Sequence, residues 1–129
     1  MPENKPSLQL EVQELLLVGA GAVPGALLRW QLALNLGDQN LLVNVLGAGL
    51  LGFLAGLPAA PWRQLLLGIG FCGSLTTFSS WMLNSFELIH SGQPLKAVGL
   101  IGMTLCFGLA GASFGWFVGR SIKGLKNLR

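Results

Sequence analysis

Residues 68–81 read Gly-Ile-Gly-Phe-Cys-Gly-Ser-Leu-Thr-Thr-Phe-Ser-Ser-Trp, in the middle of an apolar stretch long enough to cross a membrane. Hydrocarbon offers no water to unpaired backbone groups, so an ordinary span stays in an unbroken helix. This stretch gathers Gly68, Gly70 and Gly73 with the hydroxyls of Ser74, Thr76, Thr77, Ser79 and Ser80 near its centre. Glycine weakens a helix, and Ser and Thr offer the backbone other hydrogen bonds. The pattern predicts that the helix opens here. Opened backbone at membrane depth persists only when it is buried in protein or lines a polar cavity. Segment 68–81 is therefore where function is expected.

The rest of the chain supplies the membrane setting. Of its 129 residues, 52% are hydrophobic and 10% charged, whereas a soluble domain carries about 25% charged residues. The reading is an all-α membrane protein: one domain, 1–129, with four spans at about 12–36, 40–57, 64–89 and 96–118. The third helix is broken at mid-span, and a basic tail fills 119–129. Turns are expected at Gly37-Asp38-Gln39, at Pro58-Ala-Ala-Pro61 and at His90-Ser-Gly-Gln-Pro94, with Trp62 and Arg63 as interfacial anchors. Span 40–57 is the shortest, at roughly 27 Å for a rise of about 1.5 Å per residue. Small residues four apart (Gly21 and Gly25, Gly52 and Gly56, Gly111, Gly115 and Gly119) mark faces where helices approach closely. The net charge of +3 is too small to suggest nucleic acid. Cys72 and Cys106 fall within spans and read as small buried residues, not as a disulfide. The start of the chain lacks the basic region of a cleaved signal.

Four spans set the N-terminus, the second loop and the C-terminus on one side. Lys5, Arg63, Arg120, Lys123, Lys126 and Arg129 lie there, against Lys96 and at most Arg29 on the other. The positive-inside rule then puts both termini in the cytoplasm, in a cell (plasma or inner) membrane.

Several polar residues sit where lipid would exclude them. Arg29 lies within the first span; it either snorkels to an interface, caps carbonyls of a broken helix or sets a positive potential for an anion. Asn44 lies mid-span in Leu-Leu-Val-Asn-Val-Leu-Gly, and Asn40 is one turn earlier on the same face. Asn44 reads either as an interhelical hydrogen bond or as a donor to a dehydrated anion. A break beside Gly73 would bare carbonyls that suit a hard cation and amides that suit an anion. Phe78 and Trp81, three apart, either pack or turn electropositive ring edges toward an anion. Missing are a mid-span carboxylate for a proton relay, a cluster of His and Cys ligands, and a Ser–His–Asp set, since His90 is alone and interfacial. An enzyme is not expected.

Gly25-Ala26-x-x-Arg29-Trp30, Val43-Asn44-x-x-Gly47 and Gly70-Phe71-Cys72-Gly73-x-x-Thr76-Thr77-Phe78-Ser79 resemble, in that order, the Fluc (CrcB-type) family of fluoride ion channels, over about residues 15–120. The resemblance implies an antiparallel dimer with two narrow fluoride pores and a structural Na⁺ at the dimer interface. It implies Na⁺ ligation by the carbonyls of Gly73 and Thr76. It sets Asn44, Phe78, Trp81, Thr77, Ser79, Thr104 and Asn40 along the fluoride path, and Arg29 as the structural arginine. The chain departs from the family pattern at Trp81, Leu100, Thr104, Asn84 and Asn40, and has Gly73-Ser74 for a Gly-Gly pair. The implied function is passive export of fluoride from the cytoplasm, with fluoride and membrane lipid as partners. The second subunit is either another copy or a homologous chain; the lopsided charge favours one-way insertion beside an oppositely biased relative. The alternatives are a non-conducting structural partner subunit and a small multidrug antiporter, which would need an embedded glutamate where this chain has Arg29.

Overall fold

The computed structural model describes residues 7–36 and 40–126; the turn expected at Gly37-Asp38-Gln39, the residues before Ser7 and the end of the tail at 127–129 lie outside the described residues. Among the described residues, regular structure is all helical: α1 Leu8–Leu36, α2 Asn40–Gly56, α3 Pro61–Arg63, a π-helical run π1 Gln64–Cys72, α4 Gly73–Leu75, α5 Ser79–His90 and α6 Pro94–Lys126. Leu8–Asn35, Pro61–His90 and Pro94–Gly124 are long and apolar enough to cross a membrane. The 17 residues of α2 rise about 26 Å, slightly less than a hydrocarbon core of about 30 Å.

The apolar side chains are distributed opposite to a water-soluble core. Leu15, Leu16, Leu34, Leu109, Phe114 and Phe117 face outward, while the buried apolar set is small: Val43, Leu54, Cys72, Leu75, Trp81 and Ala97. In water such a surface would aggregate; in lipid it is solvated. Association of the helices then depends on close packing and internal hydrogen bonds.

Glycine makes that packing possible. Gly49 faces Gly111, Gly52 faces Ala112, and Gly56 faces Trp116 and Gly119, so α2 and α6 run parallel in close contact. Gly21 meets Leu66 and Phe71, and Gly25 meets Phe71 and Ser74, so α1 runs parallel to π1. Leu51 lies against Gly68 and Gly47 against Thr76, which makes α2 antiparallel to the 61–76 segment between these pairs. The end of α2, the start of α3 and the end of α6 therefore share one end of the bundle.

Helices α1 and α6 overrun the spans read from the sequence. α1 starts at Leu8, where Ser7 accepts the amides of Leu10 and Glu11 through its carbonyl, and Glu11 favours the positive helix end. α6 starts at Pro94, with Gln93 accepting from Lys96 and Ala97. It continues to Lys126, so the basic segment expected as a tail from 119 is α-helical through that residue. Arg and Lys are good helix formers, and cations are favoured at the negative helix end. Helix α1 also carries Pro24 in its interior, where the ring removes one helical hydrogen bond. π1 has no counterpart in the sequence reading. Its wider turn ends where the Gly73 amide reaches back five residues to the Gly68 carbonyl.

A Cβ at Gly52 would strike the Ala112 carbonyl, which is backbone and cannot swing away, whereas Gly108 faces open space. Overpacking of this kind costs about 1–3 kcal/mol. Gly52→Ala is expected to lower the unfolding temperature in detergent by several degrees, and Gly108→Ala to leave it equal or raised. Equal stability of Gly52→Ala and wild type would contradict the α2–α6 packing described.

Candidate functional site

The site is built on the interruption between α4 and α5. Helical hydrogen bonding stops at Leu75 and resumes at Ser79, and Thr76 is extended with φ −75° and ψ 155°. The Thr76 amide and hydroxyl both donate to the Cys72 carbonyl, at 3.0 and 2.9 Å. In a continuing helix the Thr77 amide would turn to Gly73. Here it donates to Asn44 Oδ1 at 2.8 Å, and Asn44 Nδ2 donates to the Thr77 carbonyl, also at 2.8 Å. The Asn44 side chain thus acts as a stand-in peptide group, supplied across the bundle by α2. Arg29 reaches the same place from α1, its Nη1 donating to the Thr76 carbonyl at 3.4 Å. Gly47 leaves room for the break, because a Cβ there would overlap the Thr76 methyl.

The second half-helix starts with its own cap. Thr77 Oγ1 accepts the Ser80 amide at 3.3 Å, the bond an N-cap makes to the third residue beyond it. Thr77 Oγ1 also lies 3.0 Å from Ser80 Oγ and 3.5 Å from Ser79 Oγ. The amides of Phe78 and Ser79 donate to no backbone carbonyl among the described residues. They form the positive end of α5, the end of a helix dipole that draws anions. Beside them Phe78 is 70% exposed, and its ring meets Trp81 edge-on at 5.2 Å and 82°.

The residues singled out in the sequence therefore divide. Arg29, Asn44, Thr76, Thr77, Phe78 and Ser79 converge on the break, and Trp81 touches it through Phe78. Trp81 is itself only 7% exposed and packs as a wall behind Phe78. Thr104 is equally buried and donates to the Leu100 carbonyl of its own helix at 2.8 Å, so its proton is committed there. Asn40 stands one turn before Asn44 on α2, half-buried. Asn84 and Leu100 line one cavity of about 470 Å³ together with Glu87.

Backbone carbonyl oxygens at the break are hard donors, the type that a hard cation takes. The Gly73 carbonyl has lost the Thr77 amide to Asn44, and Gly73 is exposed. Gly73 and Thr76 also border a cavity of about 260 Å³ with Gly47, Ala48, Gly68 and Cys72. The Thr76 carbonyl keeps a second lone pair beyond its long bond to Arg29. The sequence did not reveal Gly47 as the space-maker or Ser80 as the cap partner. Gly47 stands in the Asn44 motif, one turn away, and Ser80 follows Thr77 at capping distance; those were the available signals.

A family model described as CrcB-like protein, Camphor Resistance (CrcB), matches residues 16–116. The chain is 72% identical over 123 residues to "Fluoride-specific ion channel FluC 2" of Synechococcus sp. (strain CC9605), covering 95% of this chain and 93% of that protein. It is 41% identical over 115 residues to a "Fluoride-specific ion channel FluC 1" of Prochlorococcus marinus, covering 89% of each. It is 37% identical over 112 residues to "Fluoride-specific ion channel FluC 1" of Listeria monocytogenes serovar 1/2a (strain ATCC BAA-679 / EGD-e), covering 81% of this chain and 95% of that protein. With three helices of membrane length, the chain is a multi-pass membrane protein.

Replacing Asn44 by Leu keeps the bulk and removes both bonds to Thr77. A polar group left without a partner costs about 1–3 kcal/mol, and two are left here. Asn44→Leu is expected to unfold well below wild type in detergent. Asn44→Asp, which sets a carboxylate against the Thr77 carbonyl, is expected to fare no better. Wild-type stability for Asn44→Leu would remove the clamp from the account.

Proposed function

We propose, from the premise that this chain belongs to the CrcB-like (camphor resistance) family, that it is a subunit of a passive fluoride-selective channel that exports fluoride from the cytoplasm. The observation that carries the reading is the break itself, which exposes the amide end of α5 beside the ring of Phe78.

Fluoride is small, hard and strongly hydrated, so a dry path must replace its water with donors. The break offers the amides of Phe78 and Ser79, the hydroxyls of Thr77, Ser79 and Ser80, and the Nδ2 proton of Asn44 not used by Thr77. The positive edge of the Phe78 ring adds attraction without a formal charge. Arg29 contributes positive potential from the α1 side. Uncharged donors bind the ion well enough to admit it and weakly enough to release it, as conduction requires. Nothing here couples flow to a proton, since Glu87 lies in the last turn of α5 and no mid-span carboxylate accompanies it.

The assembly that suits this reading has four spans per subunit and two subunits in opposite orientation. A structural Na⁺ would be held by the Gly73 and Thr76 carbonyls; it supplies positive charge that ties broken backbone together. Hard cations gather several oxygens, more than two carbonyls of one chain, so a second subunit completes the set. The excess of Lys and Arg at one end supports cytoplasmic termini and a partner of opposite bias, with a second identical copy as the other arrangement. The membrane is the cell (plasma or inner) membrane. A non-conducting structural subunit is the second reading, favoured by three observations: Asn44 is largely spent on Thr77, Thr104 on Leu100, and Trp81 is buried.

Fluoride-electrode recording of efflux from proteoliposomes tests these readings. The purified chain, alone or with a homologous subunit of opposite charge bias, is expected to release fluoride and to leave chloride inside. Release that needs the homologous subunit and is insensitive to substitutions at the break of this chain would support the structural reading, and none in any pairing would end the proposal. Phe78→Leu keeps an apolar side chain and loses the ring edge; an aromatic-edge contact of about 0.5–1.5 kcal/mol corresponds to roughly tenfold slower efflux at its upper end. Unchanged efflux would take Phe78 off the path. Replacing Na⁺ by a large organic cation during purification is expected to reduce efflux and lower the unfolding temperature; no effect on either would remove Na⁺ from the assembly.

A further inference from the structure

Where α2 ends and α6 leaves its apolar stretch, a cleft of about 280 Å³ is lined by Gly56, Leu57, Trp116, Arg120, Lys123 and Gly124. The guanidinium of Arg120 lies over the Trp116 ring, 4.9 Å from its centroid, a cation–π contact that holds it at this end of the seam. Among the described residues no carboxylate pairs with Arg120 or Lys123. Glu11 and Glu14 share this end of the bundle, but on α1, which packs chiefly on π1. Directly along the same α2–α6 seam, and sharing Trp116, runs a second groove of about 440 Å³, lined by Gly52, Ala112, Ser113 and Phe117 and mainly apolar.

We propose that this seam holds one anionic phospholipid, its phosphate between Arg120 and Lys123 and an acyl chain in the groove beyond Trp116. The ligand chemistry is a phosphate ester. Arg presents a planar fork that fits phosphate oxygens, and Lys adds a point charge. The neighbouring groove decides between lipid and soluble phosphate: a free anion would use the basic cleft and leave the apolar groove unfilled. Trp116 stands at the junction, the level at which tryptophan rings sit between headgroups and hydrocarbon. Gly56 lets α2 approach α6 where they border the cleft, since a Cβ there would strike the Trp116 carbonyl, and Gly124 faces open space. The site stands apart from the helix break and does not depend on the fluoride reading.

Native mass spectrometry of the full chain in detergent tests it, with phosphatidylglycerol and phosphatidylcholine of the same acyl chains in equal amounts. Two cations beside an anionic headgroup give an expected preference of roughly 30-fold for phosphatidylglycerol. Arg120→Gln with Lys123→Gln is expected to bring the two lipids to near parity, while Lys96→Gln, at the opposite end, keeps the preference. Should the double variant not be recovered folded, Lys123→Gln alone is expected to lower the preference roughly fivefold. Millimolar inorganic phosphate or glycerol phosphate is expected not to displace the lipid. Equal binding by the wild type, an unchanged preference in the folded double variant (or in Lys123→Gln where only that variant folds), or displacement by either soluble anion would overturn the proposal.

Discussion

The side-chain amide of Asn44 meets the backbone of Thr77 with a donor and an acceptor at once, and the rest of the site depends on that exchange. In hydrocarbon an unpaired peptide group costs several kcal/mol, so a helix can open only where another part of the protein offers what the next turn would have offered. Asn44 does this for Thr77, Arg29 does it weakly for Thr76, and Thr77 does it through its hydroxyl for the start of α5. Among the described residues the amides of Phe78 and Ser79 and the carbonyls of Gly73, Ser74 and Leu75 lose their helical partners at the break, and the proposed ion paths draw on this set.

The clamp in turn requires that α2 come close to the third segment, and close approach is a matter of glycine. Gly47 makes room for Thr76 one turn along from Asn44, and Gly52 brings α2 against α6. The helices meet through backbone, so the packing is rigid where the site needs it to be. The widened turns of π1 lead into the break, which fits the tendency of such turns to occur where helices serve function. The outward-facing leucines and phenylalanines contribute solubility in lipid and little specificity.

Much of this was readable in the residues. Gly68, Gly70 and Gly73 with five hydroxyls predicted trouble in a helix, and the chain leaves helical geometry at Thr76. Arg29 was read as a cap for broken-helix carbonyls among other roles, and it donates to one. Asn44 reads from the sequence as an interhelical hydrogen bond among other roles, and it makes two; that their partner is Thr77, 33 residues away, is decided by packing. The burial of Trp81 depends on packing in the same way, whereas the bond from Thr104 to Leu100 is the ordinary return of a helical hydroxyl to the carbonyl four residues back. π1 was hidden, since Gly68 and Gly70 mark a weakened helix and not the wider turn that forms there. Helices α1 and α6 run past the spans read from the sequence because hydropathy marks where lipid stops, while helical hydrogen bonding continues into the interface.

Everything at the site follows from Thr76 leaving the helix and Asn44 holding Thr77. Solid-state NMR of the full chain in lipid bilayers, with carbon and nitrogen labels, reads both. Extended-backbone carbon shifts are expected at Thr76 between helical shifts at Leu75 and Ser79, with a through-space correlation from the Asn44 side-chain nitrogen to the Thr77 carbonyl carbon. Helical shifts without interruption from Gly73 to Ser79, with no Asn44–Thr77 correlation, would contradict both.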